Sequence, residues 1–248
     1  MTSQIPTLVH GGRPFLSNRH QVRAALFDVD GVIADTASLH LNAWRDAIRE
    51  AGLPFPESVC DALRGVSRRG SLELILCASS IDPSSVEPSR LDSIMSRKNE
   101  FYVASLSRLS PADVLPGVSR LVESLRADGI GLAAVSASRN ARSVLDRLGV
   151  ADWFEQIVVE SCEQSMRADD GSPAALSTSS DRAIVHRFLV AAEGLGESPP
   201  RCVVIEDSPA NLRLARQWGM GTIGVGTAVG PDDADVSVLT LDDLDLDD

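Results

Sequence analysis

Lysine is almost absent from this chain of 248 residues: Lys98 is the only one, and the other basic side chains, four histidines aside, are arginine. Basic residues are scarce overall, since 23 lysines and arginines face 35 aspartates and glutamates, which gives a formal net charge of −12 at pH 7. This balance argues against DNA or RNA as a partner, because nucleic-acid binding needs many basic contacts to phosphate. Much of the acidic excess lies in residues 232–248, which we expect to form a solvated tail.

Cysteines and long apolar runs are scarce as well. The cysteines at positions 60, 77, 162 and 202 form no CxxC pair and have no histidine at metal-ligand spacing, which favours reduced thiols over a disulfide or a zinc site. No stretch approaches the ~20 apolar residues that cross a bilayer, so no membrane partner is expected. Residues 1–22 are polar and lack the apolar core of a secretion signal, so we expect a loose N-terminal extension and a cytoplasmic protein.

Apolar residues recur with helical spacing between about residues 35 and 109. Leu39, Trp44 and Ile48 form an apolar stripe that predicts a helix over 35–51, which Gly52 ends. Further helical segments are predicted over 58–63, 71–78 and 89–106. Because no strong strand signal interrupts them, residues 35–109 are predicted to form a small helical cap.

The remaining sequence alternates helices with short apolar strands. Helices that close at a glycine, each followed by an apolar run, indicate successive units of a parallel sheet. Strands are predicted at 24–28, 130–135, 156–159, 201–205 and 222–225, and the intervening helices at 118–127, 140–148, 182–192 and 212–218. The predicted fold class is therefore α/β: a Rossmann-like parallel sheet core, residues 23–34 and 110–248, with the helical cap inserted. Residues 160–181 are predicted to form a long loop.

Polar residues that carry chemistry fall at the carboxyl ends of these strands. Asp28 and Asp30 are one residue apart and so share a face of the first strand, although a buried strand that ends in an acidic turn would look the same. Ser136 ends the second strand and Glu206-Asp207 a later one, and such ends meet at one edge of a parallel sheet. Clustered carboxylates suit Mg²⁺, and beside it one carboxylate can attack phosphorus while another exchanges protons.

These residues resemble the motifs of a known superfamily. Phe27–Gly31, Val135–Ser136 and Glu206–Asp207 are similar to the first, second and fourth motifs of the haloacid dehalogenase superfamily. Leu63–Arg68 and Ser136–Asn140 are similar to its β-phosphoglucomutase-like subfamily. The resemblance covers about residues 24–226, and it implies a Mg²⁺-dependent phosphotransferase that has a Rossmann-like core and a mobile cap.

The resemblance also implies a role for each matching residue. Asp28 would be the nucleophile and Asp30 the general acid and base, and Mg²⁺ would be held by Asp28, the Asp30 carbonyl, Glu206 and Asp207. Phosphate and substrate would be bound by Ser136, Ala137, Ser138, Arg139, Asn140, Arg68, His40, Lys98, Trp44 and Gly65. Thr36 would lie at the cap hinge. Some of these residues have a simpler interpretation. Trp44 fits the core of the cap better than a ligand contact, and without the resemblance His40 would be interpreted as a surface histidine. Arg64 and Arg69 would be interpreted as solvated side chains.

The chain departs from the superfamily at its third motif, which carries a lysine that neutralises the nucleophile. No lysine follows Lys98. Counting forward from Phe154 places the position at Arg167, whereas counting back from Phe188 places it at Arg182, which we favour because it begins the helix of the well-matched segment. A guanidinium is bulkier than an ammonium and spreads its charge over a plane. Either arginine, or neither, would supply the missing charge.

Three functions remain open from the sequence. The leading hypothesis is a mutase that interconverts hexose 1-phosphate and 6-phosphate through an aspartyl phosphate and a bisphosphate intermediate. The second is a phosphatase that acts on a sugar or cyclitol phosphate. The third, motivated by the missing lysine, is a catalytically weakened homologue that binds a phosphosugar. In each case the expected partner is a small sugar phosphate, and the protein is expected to be a monomer.

Overall fold

A computed structural model describes residues 9–10, 13–14, 22–159 and 179–244. Within the predicted N-terminal extension, strands β1 (Val9–His10) and β2 (Arg13–Pro14) pair in an antiparallel hairpin that the sequence did not predict. Cys60, Cys77 and Cys202 are free thiols, as predicted, whereas Cys162 lies outside the described residues. Among the described helices, none combines the length and the apolar character that a membrane crossing requires.

The core is a single parallel sheet. Its strands are β3 (Ala24–Asp28), β4 (Gly131–Ser136), β5 (Gln156–Val159), β6 (Cys202–Glu206), β7 (Gly221–Val225) and β8 (Val236–Val238). The six strands lie in the order β5-β4-β3-β6-β7-β8, and every neighbouring pair is parallel. The predicted fold class is confirmed. The strand order reverses at β3, and ligands bind at this kind of switch point, beyond the carboxyl ends of the strands.

Side chains of β3 alternate between two buried layers. Ala25 and Phe27 pack with helices α4 (Val118–Ala127) and α5 (Ala141–Leu148). Ala24 and Leu26 face the other layer, with helices α6 (Ser179–Gly194) and α7 (Pro209–Gln217). Because both faces are covered, the strand is apolar throughout rather than alternating, and its polar residues come only at its end.

The predicted acidic tail is wrong for most of its length. Residues 236–238 form β8 at the edge of the sheet, and Leu241 and Leu244 are buried against the core. Arg120 of α4 donates to the carbonyl oxygens of Leu241, Asp242 and Leu244. Three-residue strands and single leucines between aspartates give no periodic signal, so the composition concealed this docking. Residues 245–248 lie outside the described part.

The cap has a hydrophobic core of its own. Helices α1 (Ala37–Glu50), α2 (Arg68–Ala78) and α3 (Pro88–Leu106) pack around Trp44, Ile48, Leu72, Ile75 and Leu76. Two short 3-10 turns, Glu57–Val59 and Asp61–Leu63, precede α2. Ser67 caps α2, since its hydroxyl accepts from the Gly70 amide at 3.1 Å.

The chain leaves the core and returns to it at adjacent points. Ala34 forms isolated bridges to Asp30 and to Val114, so the segment that enters the cap lies against the segment that comes back. The Leu115 amide also donates to the Ile33 carbonyl at 2.9 Å. The cap is therefore connected to the sheet through two neighbouring crossings.

Candidate active site

Three carboxylates converge at the end of the two central strands. Asp28 ends β3, while Glu206 ends β6 and Asp207 follows it. All three side chains are buried, and one carboxylate oxygen from each lies within 4.8 Å of the others. The pairing of β3 with β6 produces this convergence, because parallel neighbours present their carboxyl ends together.

Burial and mutual repulsion destabilise the ionised forms of these groups. Burial, followed by the charges of Glu206, Asp30 and Asp207, raises the pKa of Asp28 well above its ordinary value. Burial and the charge of Asp207 raise the pKa of Glu206 to about 8, although Asn211 and the Ser208 amide donate to it. Mg²⁺ binds carboxylate oxygens and would neutralise the surplus negative charge of this buried cluster, so the three residues fit that ion.

The raised pKa of Glu206 predicts a pH-dependent instability in metal-free protein. Glu206 binds its proton more tightly when folded, so the stability it contributes is complete below its ordinary pKa of 4.5 and is lost as the pH rises through about 8. Glu206→Gln cannot ionise. In chelator, its melting temperature should rise relative to wild type by several degrees between about pH 5 and about pH 8.

Lys98 and His40 also titrate, but they do so in both proteins. The difference in melting temperature between Glu206→Gln and wild type therefore reports on Glu206. A difference in melting temperature that stays constant across this pH range would contradict the prediction. Thermal unfolding followed by circular dichroism suffices.

Asp30 lies in a different electrostatic setting. Thr36 Oγ1 donates to it at 2.5 Å and Ser136 Oγ at 3.0 Å, while His40 Nε2 lies 3.3 Å from its carboxylate. Burial alone would raise the pKa of Asp30, but the charge of the nearby His40 and the hydrogen bonds from Thr36 and Ser136 lower it below its ordinary value. Asp30 is therefore the carboxylate of the site that is held ionised.

A short chain of polar groups runs from Asp30 into the cap. Lys98 Nζ lies 2.5 Å from His40 Nδ1, and the opposite nitrogen of that ring faces Asp30. Lys98 is buried between the rings of Trp44 and Tyr102, 5.5 and 4.7 Å from their centroids. Burial and the charge of Arg68 lower the pKa of Lys98 to about 7. Burial, partly opposed by Asp30, lowers the pKa of His40.

A second group of polar side chains joins the cap to the core. Arg68 Nη2 and Asn140 Nδ2 both donate to Asn99 Oδ1, at 2.8 and 2.9 Å. Ser138 lies beside them, and its amide donates to Ser136 Oγ at 2.9 Å. Asn99 of α3 thus brings Arg68 of the cap close to Asn140 of the core.

One cavity of about 570 Å³ is lined by members of both groups, whereas Ser136, Asn140 and Glu206 are not among its lining residues. Among the residues that line it are Asp28, Asp30, Asp207, His40, Trp44, Gly65, Arg68, Lys98, Ala137, Ser138 and Arg139. Trp44 is buried in the hydrophobic core of the cap and also lines the cavity. A volume of this size suits a small-molecule ligand.

Arg64 is not the solvated side chain that the sequence suggested. Its Nη1 donates to Asp207 Oδ2 at 2.5 Å, from the cap to the core. Arg69, in contrast, is exposed and paired with Glu73 at 2.7 Å, and it makes no described contact with the carboxylate cluster, although it also lines the cavity. A basic residue in a loop carries no periodic signal that would distinguish these two, so only the docking of the cap reveals the role of Arg64.

Neither of the two arginines predicted to replace the missing lysine has a described side chain. Arg167 lies outside the described residues, and Arg182 falls within α6 but its side chain is not described. The other arginine of α6, Arg187, is buried, with Nη2 3.5 Å from the carbonyl oxygen of Gly65 in the cap. Counting from the motif did not single out Arg187, because it lies five residues beyond Arg182.

Gly31 is required where the chain turns beneath the cluster. Its φ is +94°, and a Cβ at this position would overlap the carboxylate of Asp207. Gly31→Ala should therefore destabilise the fold and weaken divalent-cation binding by displacing Asp207. Urea unfolding and a Mn²⁺ titration measure the two effects.

Gly52→Ala is the matched control for Gly31→Ala. Gly52 also has a left-handed φ, +69°, but a Cβ there would meet no atom of the described residues within 4 Å. This variant should show only the backbone strain, about 1–2 kcal/mol, and unchanged cation binding. Equal effects in the two variants would show that the overlap with Asp207 is unimportant.

Comparison with known proteins agrees with this geometry. The family model described as haloacid dehalogenase-like hydrolase matches residues 22–219. A β-phosphoglucomutase of Bacillus subtilis is 34% identical over 225 residues, 91% of this chain and 92% of the relative. A phosphorylated carbohydrates phosphatase of Thermotoga maritima is 28% identical, over 82% and 84% of the two chains. The crystal structure of a β-phosphoglucomutase from Clostridium difficile superposes with a TM-score of 0.75 at 29% identity, and the match covers 89% of this chain and 92% of that one.

The sheet order, the carboxylate cluster and the family match together define the class: the chain belongs to the haloacid dehalogenase superfamily and is an enzyme of its phosphotransferase and phosphatase group. Within that superfamily it falls in the β-phosphoglucomutase-like subfamily, as the motifs predicted.

Proposed function

We propose that this enzyme is a Mg²⁺-dependent sugar-phosphate mutase that interconverts a hexose 1-phosphate and the 6-phosphate. One observation carries the proposal: a single cavity is lined both by Asp28 and Asp207 and by Arg68, Ser138 and Arg139. A mutase must hold a phosphoryl group at the nucleophile and a second phosphate elsewhere. The near full-length similarity to the Bacillus subtilis β-phosphoglucomutase supports the same reading.

Asp28 is the nucleophile of the proposed reaction. It ends β3 and lines the cavity, and its raised pKa means that a nearby positive charge would stabilise its anionic, attacking form. Asp28, the Asp30 carbonyl, Glu206 and Asp207 would hold Mg²⁺, which supplies charge neutralisation for the phosphoryl group. Ser136 and the amide of Ala137 would bind that group as it is transferred.

Asp30 exchanges the proton with the sugar hydroxyl. In the ligand-free site Thr36, Ser136 and His40 stabilise its ionised form, so it begins as a base. The negative charge of a nearby phosphate would raise its pKa and let it return the proton as an acid. His40 and Lys98 contact the sugar from the cap, next to Trp44 and Gly65.

The second phosphate is bound where the cap meets the core. Arg68 offers a planar set of donors that matches a phosphate, and Ser138, Arg139 and Asn140 add donors from the start of α5. The contacts of Arg68 and Asn140 with Asn99 hold these groups together before a ligand arrives. A bisphosphate could then bind in either orientation, which a mutase requires.

The fate of phosphate tests the proposal. The enzyme is given β-glucose 1-phosphate, a trace of the 1,6-bisphosphate and Mg²⁺, and glucose 6-phosphate and inorganic phosphate are measured. A mutase gives the isomer with little inorganic phosphate. Stoichiometric inorganic phosphate without isomer would instead establish a phosphatase, the activity named for the Thermotoga maritima relative.

A further inference from the structure

The contact of Arg64 with the carboxylate cluster crosses from the cap to the core. Arg64 directly follows the 3-10 turn Asp61–Leu63, and 143 positions separate it from its partner Asp207. The Asp207 side chain is 7% exposed and that of Arg64 is 31% exposed. This ion pair is therefore partly withdrawn from water, where it is screened less than a surface pair.

The carboxylate that Arg64 contacts is also one on which a divalent cation would depend. Asp207 shares the cluster with Asp28 and Glu206, and its Oδ2 is the atom that accepts from Arg64. A guanidinium and a divalent ion near one carboxylate repel each other and compete for its charge. We therefore expect binding of the ion to weaken the contact of Asp207 with Arg64.

The contact also determines where the cap loop lies. The next residue, Gly65, has a φ of +66° and packs so closely on Asn211 that a Cβ would overlap its amide. Asn211 donates in turn to Glu206. The Gly65 carbonyl lies 3.5 Å from Arg187 of the core. The contact of Arg64 with Asp207 is thus one of several that hold this loop against the residues around the carboxylate cluster.

We propose that Arg64 is a positioning residue that couples the cap to occupancy of the carboxylate cluster. Without a divalent cation, Arg64 acts as an internal counter-ion and holds residues 64–67 against Asp207. A bound cation displaces the guanidinium and loosens the loop, so that metal loading prepares the cap to open for substrate. This inference rests on the metal site of the proposed function.

Linkage gives the proposal two reciprocal consequences. If the cation weakens the contact of Arg64 with Asp207, removing that contact must strengthen cation binding by the same factor. In the metal-free protein the loop amides should be protected from hydrogen exchange, and added cation should reduce that protection. The cation-dependent loss of protection should disappear when residue 64 carries no charge.

The test is a Mn²⁺ titration of metal-free full-length protein, followed by electron paramagnetic resonance and calorimetry. Arg64→Gln should bind Mn²⁺ roughly tenfold more tightly than wild type, within the range typical of coupled binding events. Arg64→Lys keeps the charge and should stay near wild type. Arg69→Gln is the matched control, because it removes the same charge nearby from a side chain that pairs only with Glu73 among the contacts described.

Hydrogen exchange supplies the second measurement. In wild type, Mn²⁺ should increase the rate of amide hydrogen exchange of residues 64–67. In Arg64→Gln these amides should exchange fast without the ion, and Mn²⁺ should not change their rate. Equal Mn²⁺ affinity in Arg64→Gln and Arg69→Gln, or a loop that the ion protects, would overturn the role of Arg64 and leave the metal site standing. Absence of Mn²⁺ binding in every variant would overturn both this inference and the metal site of the proposed function.

Discussion

Asp28→Asn is expected to abolish turnover and at the same time to make the metal-free protein more stable. Loss of the nucleophile should lower turnover on the order of 10⁴-fold or more. Stability should move the other way, because burial and the charges of Glu206, Asp30 and Asp207 disfavour the ionised carboxylate. An amide of nearly the same shape removes one of these like charges. Turnover of the sugar phosphate and thermal unfolding in chelator at about pH 8 measure the two effects.

The opposite signs make this prediction specific. A residue that served only the fold would lose stability and activity together, so an inactive and destabilised Asp28→Asn would contradict the assignment. Asp30→Asn provides the comparison within the same site. Thr36, Ser136 and His40 favour the ionised form of Asp30, so its neutralisation should lower stability.

Asp30→Asn is expected to fail on sugar phosphates and still accept a phosphoryl group from acetyl phosphate. General acid catalysis typically contributes about 10²–10⁴-fold, and a sugar alkoxide cannot leave without it. Acetate is a weak base and leaves unaided. The variant should therefore form the aspartyl phosphate from acetyl phosphate and accumulate it, because the base for the next step is missing. Intact mass spectrometry after an acid quench detects the phosphoenzyme.

Asp28→Asn is the control for this experiment and should show no phosphoenzyme from either donor. If Asp30→Asn transferred the phosphoryl group from sugar phosphate as fast as wild type, Asp30 would not be the acid. If neither donor labelled the variant, Asp30 would be needed for the nucleophile itself rather than for the leaving group.

Residues that belong to periodic patterns were predictable from the sequence. Phe27 and Leu26 alternate between two buried layers, and glycines such as Gly149 follow helices, so the parallel sheet and its strand ends could be derived. Once the strands were known, the meeting of Asp28 with Glu206 and Asp207 followed from the geometry of parallel neighbours. The cluster was thus a consequence of local patterns.

Contacts across the gap between cap and core were not predictable in this way. Arg64 and Arg69 are both loop or helix-start arginines, yet one contacts Asp207 and the other lies on the surface with Glu73. Asn99 joins Arg68 to Asn140 only because α3 docks beside α5. Nothing local specifies the orientation in which two separately packed units meet, so such pairs emerge only from the tertiary structure.

The bridge between Ala34 and Val114 has an evolutionary consequence. Because the chain leaves and re-enters the core at neighbouring points, the ends of the helical insert are already close together, as the ends of a short loop would be. The entropy of closing a loop rises only slowly with its length, so inserts of very different size could occupy this position at little cost to the sheet. A different cap could therefore replace this one without disturbing the core. Substrate preference could then diverge while the phosphoryl-transfer chemistry of the core is kept.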